Sequence, residues 1–324
     1  MIASTHAAAI RQIPEAQLVG AADVSRENAA RFAEKNGIRV YDTFEDMLRA
    51  PEIDVVCICT PSRYHAANAI KALEHQKHVV LEKPMALNTA EADLVVEAAC
   101  RNQCLLTVIS QLRFSEDVLR IRKLMEENAF GNISFVSLRM QYWRSPEYFS
   151  ASSWRGRKDF EGGGALMNQG IHGIDLLQYI AGQPRVLKGK ITTRSHAVEV
   201  EDTAAALLAF ENGALGTVEA STCTYPGFPR QLEIHGDKGY VVLRENKIRK
   251  LLTETESIDC SREEEQNVNT YSVPEFSDCT MHARQIANLI HAVQGREALV
   301  MDAAEGKKSI QIIEDIYRSS EQAD

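Results

Sequence analysis

The run Val79-Val80-Leu81-Glu82-Lys83-Pro84 carries an apolar strand straight into a lysine held between a carboxylate and a proline. A lysine at that point can be aimed from the end of a sheet into a crevice, where open α/β sheets take their ligands. Taken alone, the same residues also fit a surface lysine that follows a strand ended by Pro84. A second dense segment is Gly162-Gly163-Gly164-Ala165-Leu166-Met167-Asn168-Gln169-Gly170-Ile171-His172-Gly173-Ile174-Asp175. If the chain is helical from Ala165, then Asn168, His172 and Asp175 fall at i, i+4 and i+7 and stack on one face. Leu166, Ile174, Leu177 and Ile180 then take core-facing positions. An imidazole there can accept a proton near neutral pH. A lysine can stabilise a developing oxyanion. An amide can orient a group by hydrogen bonding but takes no proton. The three glycines either let a ligand come close to the backbone or form a plain turn.

Such side chains need rigid elements behind them. Over the first hundred residues short β-rich runs alternate with helical patterns. Leu18–Asp23, Val55–Cys59, His78–Leu81 and Leu105–Ile109 read as strands. Arg26–Asn36, Phe44–Arg49, Tyr64–Glu74 and Thr89–Arg101 read as helices. The alternation predicts an α/β architecture with a parallel, doubly wound sheet. After the helix Val118–Asn128 the rhythm changes to long strands: Ile133–Trp143, Val186–Ser195, Ala204–Phe210 and Gly216–Cys223. Turns are expected at Glu211-Asn212-Gly213, where Asn-Gly accepts positive φ, and at His235–Gly239. This half predicts an α+β domain with a large, mostly antiparallel sheet. Ser261–Phe276 reads as an exposed loop, and Met281–Gln294 and Ala303–Ser319 as closing helices. The expected division is residues 1–112 and 113–324.

At 324 residues the chain can bury two substantial cores. Its net charge of -9 argues against nucleic-acid or anionic-membrane partners. No apolar run approaches a membrane span, and the start has no basic and apolar leader pattern. Seven scattered cysteines, with no Cys-x-x-Cys pair or Cys/His cluster at zinc spacing, predict reduced thiols in the cytoplasm and no metal site.

These motifs, in this order, resemble the Gfo/Idh/MocA oxidoreductases, which include glucose–fructose oxidoreductase and inositol dehydrogenases. The resemblance rests on Leu18–Asp23, Asp54–Pro61 with His65, His78–Pro84, Gly162–Asp175 and the closing Gly306–Ser319 helix, and so covers nearly the whole chain. It implies a Rossmann-like first domain and an active-site lysine at Lys83. It also implies a catalytic histidine at His172 and a substrate partner at Asp175. Asn168 stands where the family often has Asp. The implied reaction oxidises a secondary hydroxyl of a sugar, sugar derivative or cyclitol, with a nicotinamide as hydride acceptor because no side chain accepts hydride. Asp23, an acid ending the second strand of the family fold, is expected to bind the adenosine ribose diol and repel a 2′-phosphate. NAD is therefore favoured, with Arg26 close enough to leave NADP open. The turn Thr60-Pro61 with His65 is expected along the cofactor, as are Glu82, Lys83 and, after the strand Leu105–Ile109, Gln111 and Arg113. Tyr142, Trp154 and Arg155 can form a sugar-binding wall, and the loop Tyr225–Arg230, with Arg230, can close over substrate. Packing accounts for the aromatic residues equally well. The sheet of the second domain mediates dimers or tetramers in many relatives, so a homodimer or homotetramer is expected.

Relatives open with a strand and a G-x-G-x-x-type turn before a helix whose histidine matches His6. The first thirteen residues here show neither. The expectation is that the natural start lies roughly 10–15 residues upstream, about one strand and a turn. Two other readings share the scaffold: a non-catalytic dinucleotide-sensing protein, as in a repressor of the family, and an NAD-dependent glycosidase. Retention of Lys83 with His172 favours the dehydrogenase.

Overall fold

The computed structural model describes residues 2–260 and 278–322. The expected loop Ser261–Phe276 lies outside the described residues. The chain forms two compact units. The first runs to Ala86, takes in Ala90–Gln111, and includes the late helix Thr280–Val293 as far as Gly306. A single cut at residue 112 does not describe that late segment.

In the first unit, α1 (Ile2–Ile10) precedes β1 (Gly20–Ala21), α2 (Arg26–Asn36), β2 (Arg39–Val40) and α3 (Phe44–Arg49). Then follow β3 (Val55–Ile58), α4 (His65–Glu74), β4 (His78–Leu81), α5 (Thr89–Asn102) and β5 (Leu106–Val108). The helix starts are encoded locally. Ser25 caps α2 by accepting the Asn28 N–H, and Thr43 caps α3 by accepting that of Asp46. Gly37, at φ +66°, ends α2 in the left-handed conformation that glycine adopts without strain. All strands here are parallel, in two ladders, β1-β2 and β3-β4-β5. Among the described residues these ladders share no pairing, so the sheet is interrupted between them. Val79, Val80 and Leu81 are fully buried, as a continuous apolar run in a covered parallel strand should be. Ile10, Ile13, Ile286 and Leu289 pack with Val80 and Ile109. Buried Gln285 ties the late helix to β5 through Thr107 Oγ1, the Val108 carbonyl and the Ser110 N–H.

The second unit holds α6 (Glu116–Glu126), β6 (Ile133–Gln141), α7 (Pro146–Ser150), α8 (Lys158–Glu161), a π-helical turn (Ala165–Gly170) and α9 (Ile171–Ala181). The strands β7 (Arg185–Thr192), β8 (Thr203–Ala209), β9 (Leu215–Ser221), β10 (Gln231–Gly236), β11 (Tyr240–Arg244), β12 (Lys247–Leu252) and β13 (Ser257–Asp259) follow. After α10, the late helix Thr280–Val293 described above, comes α11 (Ala303–Glu321), which belongs to this unit from Lys307 on. Eight strands form one sheet in the order β13-β12-β11-β10-β6-β9-β8-β7. All its pairings are antiparallel except β6 with β9. The Asn212-Gly213 turn joins β8 to β9, with Gly213 at φ +88°. Alternation along β8 buries Ala204, Ala206 and Leu208 and leaves Ala205 and Leu207 exposed. One face of the sheet is therefore core and the other meets solvent. No helix among the described residues is long and apolar enough to cross a membrane.

Candidate active site

The parallel ladder sets the position of Lys83. Ile58 pairs with Leu81, and Leu81 with Val108, so Thr60, Lys83 and Ser110 emerge along one carboxyl edge. Two buried side chains brace that edge. The Glu82 carboxylate accepts the Lys83 main-chain N–H through Oε2 (3.1 Å) and lies 2.8 Å from His6 Nε2 through Oε1. Burial opposes the charge on both partners. For Glu82 it is outweighed by the His6 hydrogen bond and charge and by Lys83, which bring the carboxyl down to about 2. For His6, the neighbouring Cys57 and Cys59 side chains and the Glu82 hydrogen bond outweigh it, so the imidazole lies well above its ordinary value. His65, 1% exposed, bridges the carbonyls of Thr60 (2.7 Å) and Pro84 (2.6 Å) with its two ring nitrogens. Burial lowers its pKa against these two carbonyls, which favour the charged ring. Glu82 and His65 were expected at the cofactor. The structure instead commits the His65 ring nitrogens to the Thr60 and Pro84 carbonyls, and the Glu82 carboxylate to the Lys83 N–H and to His6 of α1.

Asp23 and Thr60 are exposed, and Pro61 is half-buried. Asp23 accepts the Ser25 N–H through Oδ1 (2.8 Å), and the neighbouring Val24 side chain is wholly uncovered. An exposed carboxylate and an open apolar surface past β1, with a polar turn past β3, fit the ribose and rings of a dinucleotide. Arg26 is engaged by Asp42 at 3.6 Å.

In the second unit the glycine run admits protein groups, and no ligand is needed to explain it. A Cβ on Gly163 would meet Tyr317 Oη at 2.0 Å, and one on Gly164 the Glu201 carbonyl oxygen at 2.0 Å. The buried Glu201 carboxylate accepts the N–H groups of Gly164 and Leu166, both at 2.8 Å, and the Tyr317 hydroxyl at 2.9 Å. It thereby caps the π-helical turn. The expected α-helix from Ala165 is thus wider over its first six residues. In an α-helix four residues overshoot a full turn. A wider turn reduces that overshoot, which keeps Asn168 and His172 on one face, and such turns recur at functional sites. His172, in the first turn of α9, is half-buried.

Asp175 departs from the expectation of a substrate partner. It is 2% exposed, and its oxygens accept Arg113 Nε (2.9 Å) and Nη2 (2.7 Å), the bidentate geometry of a strong ion pair. Arg113, expected at the cofactor, is 1% exposed and also stacks over Tyr179 at 4.4 Å. The two residues join α9 to the segment before α6. Arg230 departs likewise. It is buried against Gly173 and donates to the Glu245 carbonyl and Asn246 Oδ1, both at 2.9 Å. Tyr142, Trp154 and Arg155 remain partly exposed. Arg155 lies over the Tyr148 ring at 4.3 Å and over Trp154 at 5.5 Å. Sequence reasoning missed a polar chain that links this segment to the π-helical turn. Arg144 Nη2 donates to Gln169 Oε1 (2.7 Å), and Gln169 Nε2 donates to the Tyr148 hydroxyl (2.8 Å). It also missed Glu161, which accepts from Asn168. The one signal was the set of polar residues flanking the glycines.

Among the described residues one group has metal-ligand character: His196, Asp202 and Cys223, with candidate atoms within 4.8 Å of one another. Asp202 accepts the main-chain N–H groups of Arg194, Ser195 and His196. Burial pushes its carboxyl up, but these donors and the Cys223 side chain bring it down to about 2. It serves to staple that loop. All seven cysteines are free thiols.

A parallel α/β unit with polar residues at its carboxyl edge, followed by a unit built on a large open sheet, defines a two-part dinucleotide-dependent oxidoreductase. Residues 1–110 match the family model described as the oxidoreductase family with an NAD-binding Rossmann fold, and residues 118–242 match the GFO/IDH/MocA C-terminal domain. The chain belongs to the Gfo/Idh/MocA family, is an oxidoreductase, and uses NAD. It is similar to myo-inositol 2-dehydrogenase of Thermotoga maritima, at 25% identity over 74% of this chain and 71% of that protein. It is also similar to D-glucoside 3-dehydrogenase of Escherichia coli, at 26% identity over 94% of this chain and 88% of that one. Among solved structures, the WlbA dehydrogenase from Bordetella pertussis, in complex with NADH and UDP-GlcNAcA, superposes with a TM-score of 0.86 at 28% identity, covering 99% of this chain and 93% of that one.

Proposed function

We propose that this chain oxidises a secondary hydroxyl of a sugar, sugar derivative or cyclitol. The observation that carries the reading is Lys83, held at the carboxyl edge of a parallel sheet by Glu82 and His65 in a chain that also presents His172 half-buried beside a π-helical turn. Similar proteins that act on myo-inositol and on D-glucosides, and the WlbA complex with UDP-GlcNAcA, support a carbohydrate or cyclitol substrate. Bound NAD supplies the hydride acceptor, with Asp23 on the adenosine ribose and Thr60 and Pro61 along the cofactor. His172 takes the proton of the carbinol O–H. Lys83 holds that oxygen and stabilises the negative charge developing on it. Asn168 orients the substrate by hydrogen bonding, and Tyr142, Trp154 and Arg155 bound the ring.

The second unit also suits a homodimer or homotetramer. Leu207 and Leu215 lie exposed on adjacent strands of the open sheet face, an apolar surface of the kind that self-association covers. Seven free thiols suit the cytoplasm.

The test is NADH fluorescence on mixing protein and NAD with myo-inositol, methyl D-glucoside, levoglucosan, glucose 6-phosphate and UDP-GlcNAcA. Stoichiometric NADH from at least one supports the reading. Release of a free sugar without net NADH replaces it with NAD-dependent glycoside hydrolysis, and NADH-independent binding alone replaces it with a sensor.

A further inference from the structure

His196 lies in the loop after β7, Asp202 directly precedes β8, and Cys223 lies just past β9. Their separations along the chain, 6 and 21 residues, fall outside the spacings by which zinc sites are read from sequence. The fold nonetheless brings the three side chains together. His196 Nδ1 is 3.4 Å from Asp202 Oδ2 and 3.5 Å from Cys223 Sγ. One candidate atom from each residue lies within 4.8 Å of the others. The His196 and Asp202 side chains are buried, and Cys223 is half-buried.

The bonds around the cluster are those that hold ligands for a cation. His196 Nε2 is 2.9 Å from the Arg144 carbonyl, which only accepts. In the neutral ring the proton therefore sits on Nε2, and the Nδ1 lone pair faces Cys223 and Asp202. One ring nitrogen donating to a main-chain carbonyl is the recurrent outer shell of a metal-bound histidine, and ligating carboxylates are hydrogen-bonded in turn. Asp202 meets that second condition through the N–H groups of Arg194, Ser195 and His196, which keep it ionised and in place. A tetrahedral zinc ion, with bonds of about 2.0–2.2 Å to nitrogen and oxygen and about 2.3 Å to sulfur, separates its ligand atoms by roughly 3.3–3.7 Å. The two measured gaps from Nδ1 lie in that range. The third, between sulfur and carboxylate, has to close by about 1 Å at most.

We propose that His196, Asp202 and Cys223 bind one zinc ion, which ties the loop after β7 to the ends of β8 and β9. Sulfur, nitrogen and oxygen donors together favour zinc over magnesium and calcium, which take oxygen. A thiolate, a carboxylate and a neutral imidazole balance the double positive charge. Burial and the Asp202 carboxylate push the Cys223 thiol up, so the free chain carries the S–H form. Binding forms the zinc–sulfur bond and releases that proton to solvent. The half-buried side of Cys223 gives solvent access to the fourth position, the pattern of a site with three protein ligands. The site uses neither Lys83 nor His172 and stands whether or not the chain oxidises a sugar.

The experiment strips untagged full-length protein with EDTA and titrates it with zinc chloride and, as a spectroscopic probe, cobalt(II) chloride. One zinc per chain should bind with a Kd of about 1 μM or tighter. Cys223→Ser and His196→Asn should each weaken binding at least roughly 100-fold, beyond the 10–100-fold cost of an outer-shell change. Cys100→Ser removes an exposed thiol elsewhere and should leave binding unchanged. Cobalt should give the absorption of a thiolate-bound, four-coordinate ion. Saturating zinc should protect Cys223 from iodoacetamide, as mapped by peptide mass. No zinc bound at about 100 μM, a Cys223→Ser affinity within about threefold of wild type, or a cobalt complex without thiolate absorption overturns the proposal. If the variants do not fold, the cobalt spectrum and thiol protection of wild type decide, and a Cys223 that stays reactive in saturating zinc overturns it.

Discussion

The Glu82–His6 pair sets a measurable link between stability and the placement of Lys83. The substitution Glu82→Gln keeps the shape and an acceptor for the Lys83 N–H but removes the charge facing His6. In the folded protein the Glu82 carboxyl titrates at about 2, against the usual 4.5. That difference corresponds to about 3 kcal/mol favouring the ionised form, at about 1.36 kcal/mol per tenfold change. It agrees with the roughly 3–5 kcal/mol lost when one partner of a buried pair is removed. Because the folded pKa is depressed, this stability is fully present above about pH 4.5 and is lost as pH falls toward 2. The partner has the opposite sign. His6 is raised in the folded state, so its contribution is full below about pH 6.5 and fades as pH rises through the raised value. Urea unfolding should find Glu82→Gln about 3 kcal/mol less stable than wild type at pH 6, with the gap narrowing from pH 5 to pH 3 and again at alkaline pH. A gap under about 1 kcal/mol at pH 6, or one that stays constant from pH 5 to pH 3, refutes the reasoning. The variant should also lose turnover, because the side chain that accepts the Lys83 N–H is no longer anchored by an ion pair to His6.

Three further outcomes follow from other contacts. Asp175→Asn leaves the Arg113 guanidinium buried against an amide and should cost about 3–5 kcal/mol in denaturant unfolding; a fully stable variant with only a raised substrate KM would restore Asp175 as a substrate residue. Asp23→Ala should raise KM for NAD roughly 10–100-fold through the lost charged hydrogen bonds to the ribose, with kcat little changed; an unchanged KM would remove it from the cofactor site. Leu207→Glu places a charge in the exposed apolar sheet face and should shift the mass seen in light scattering from a multiple of the chain toward a single chain; an unshifted multimer would move the interface elsewhere.

Most of the architecture was legible because it is written in local patterns. The strand–helix alternation and the Asn212-Gly213 hairpin depend on neighbours in sequence. Lys83 was legible as the residue after an apolar strand, and its position at the carboxyl edge follows from the parallel register of β3, β4 and β5. What was hidden depends on distant partners. Asp175 reads as a free acid on a helix face until Arg113, 62 residues away, closes on it. The late helix Thr280–Val293 reads as part of the second half until Gln285 binds β5 across 178 residues. The two-residue strand Arg39–Val40 is too short to carry a period, and a π-helical turn has no composition distinct from an α-helix. The glycine run was ambiguous because its neighbours, Tyr317 and Glu201, come from other elements.

The central claim is that His172 takes the carbinol proton while Lys83 holds the oxygen, in an NAD-dependent oxidation. The most direct measurement is the steady-state rate of NADH formation by wild type, His172→Ala and Lys83→Ala on a sugar or cyclitol that wild type oxidises, with folding checked by circular dichroism. The account predicts a loss of about 10²–10⁴ in kcat for His172→Ala, the usual worth of general-base catalysis, and a loss of at least about 10² for Lys83→Ala. Turnover within threefold of wild type in folded His172→Ala would contradict it.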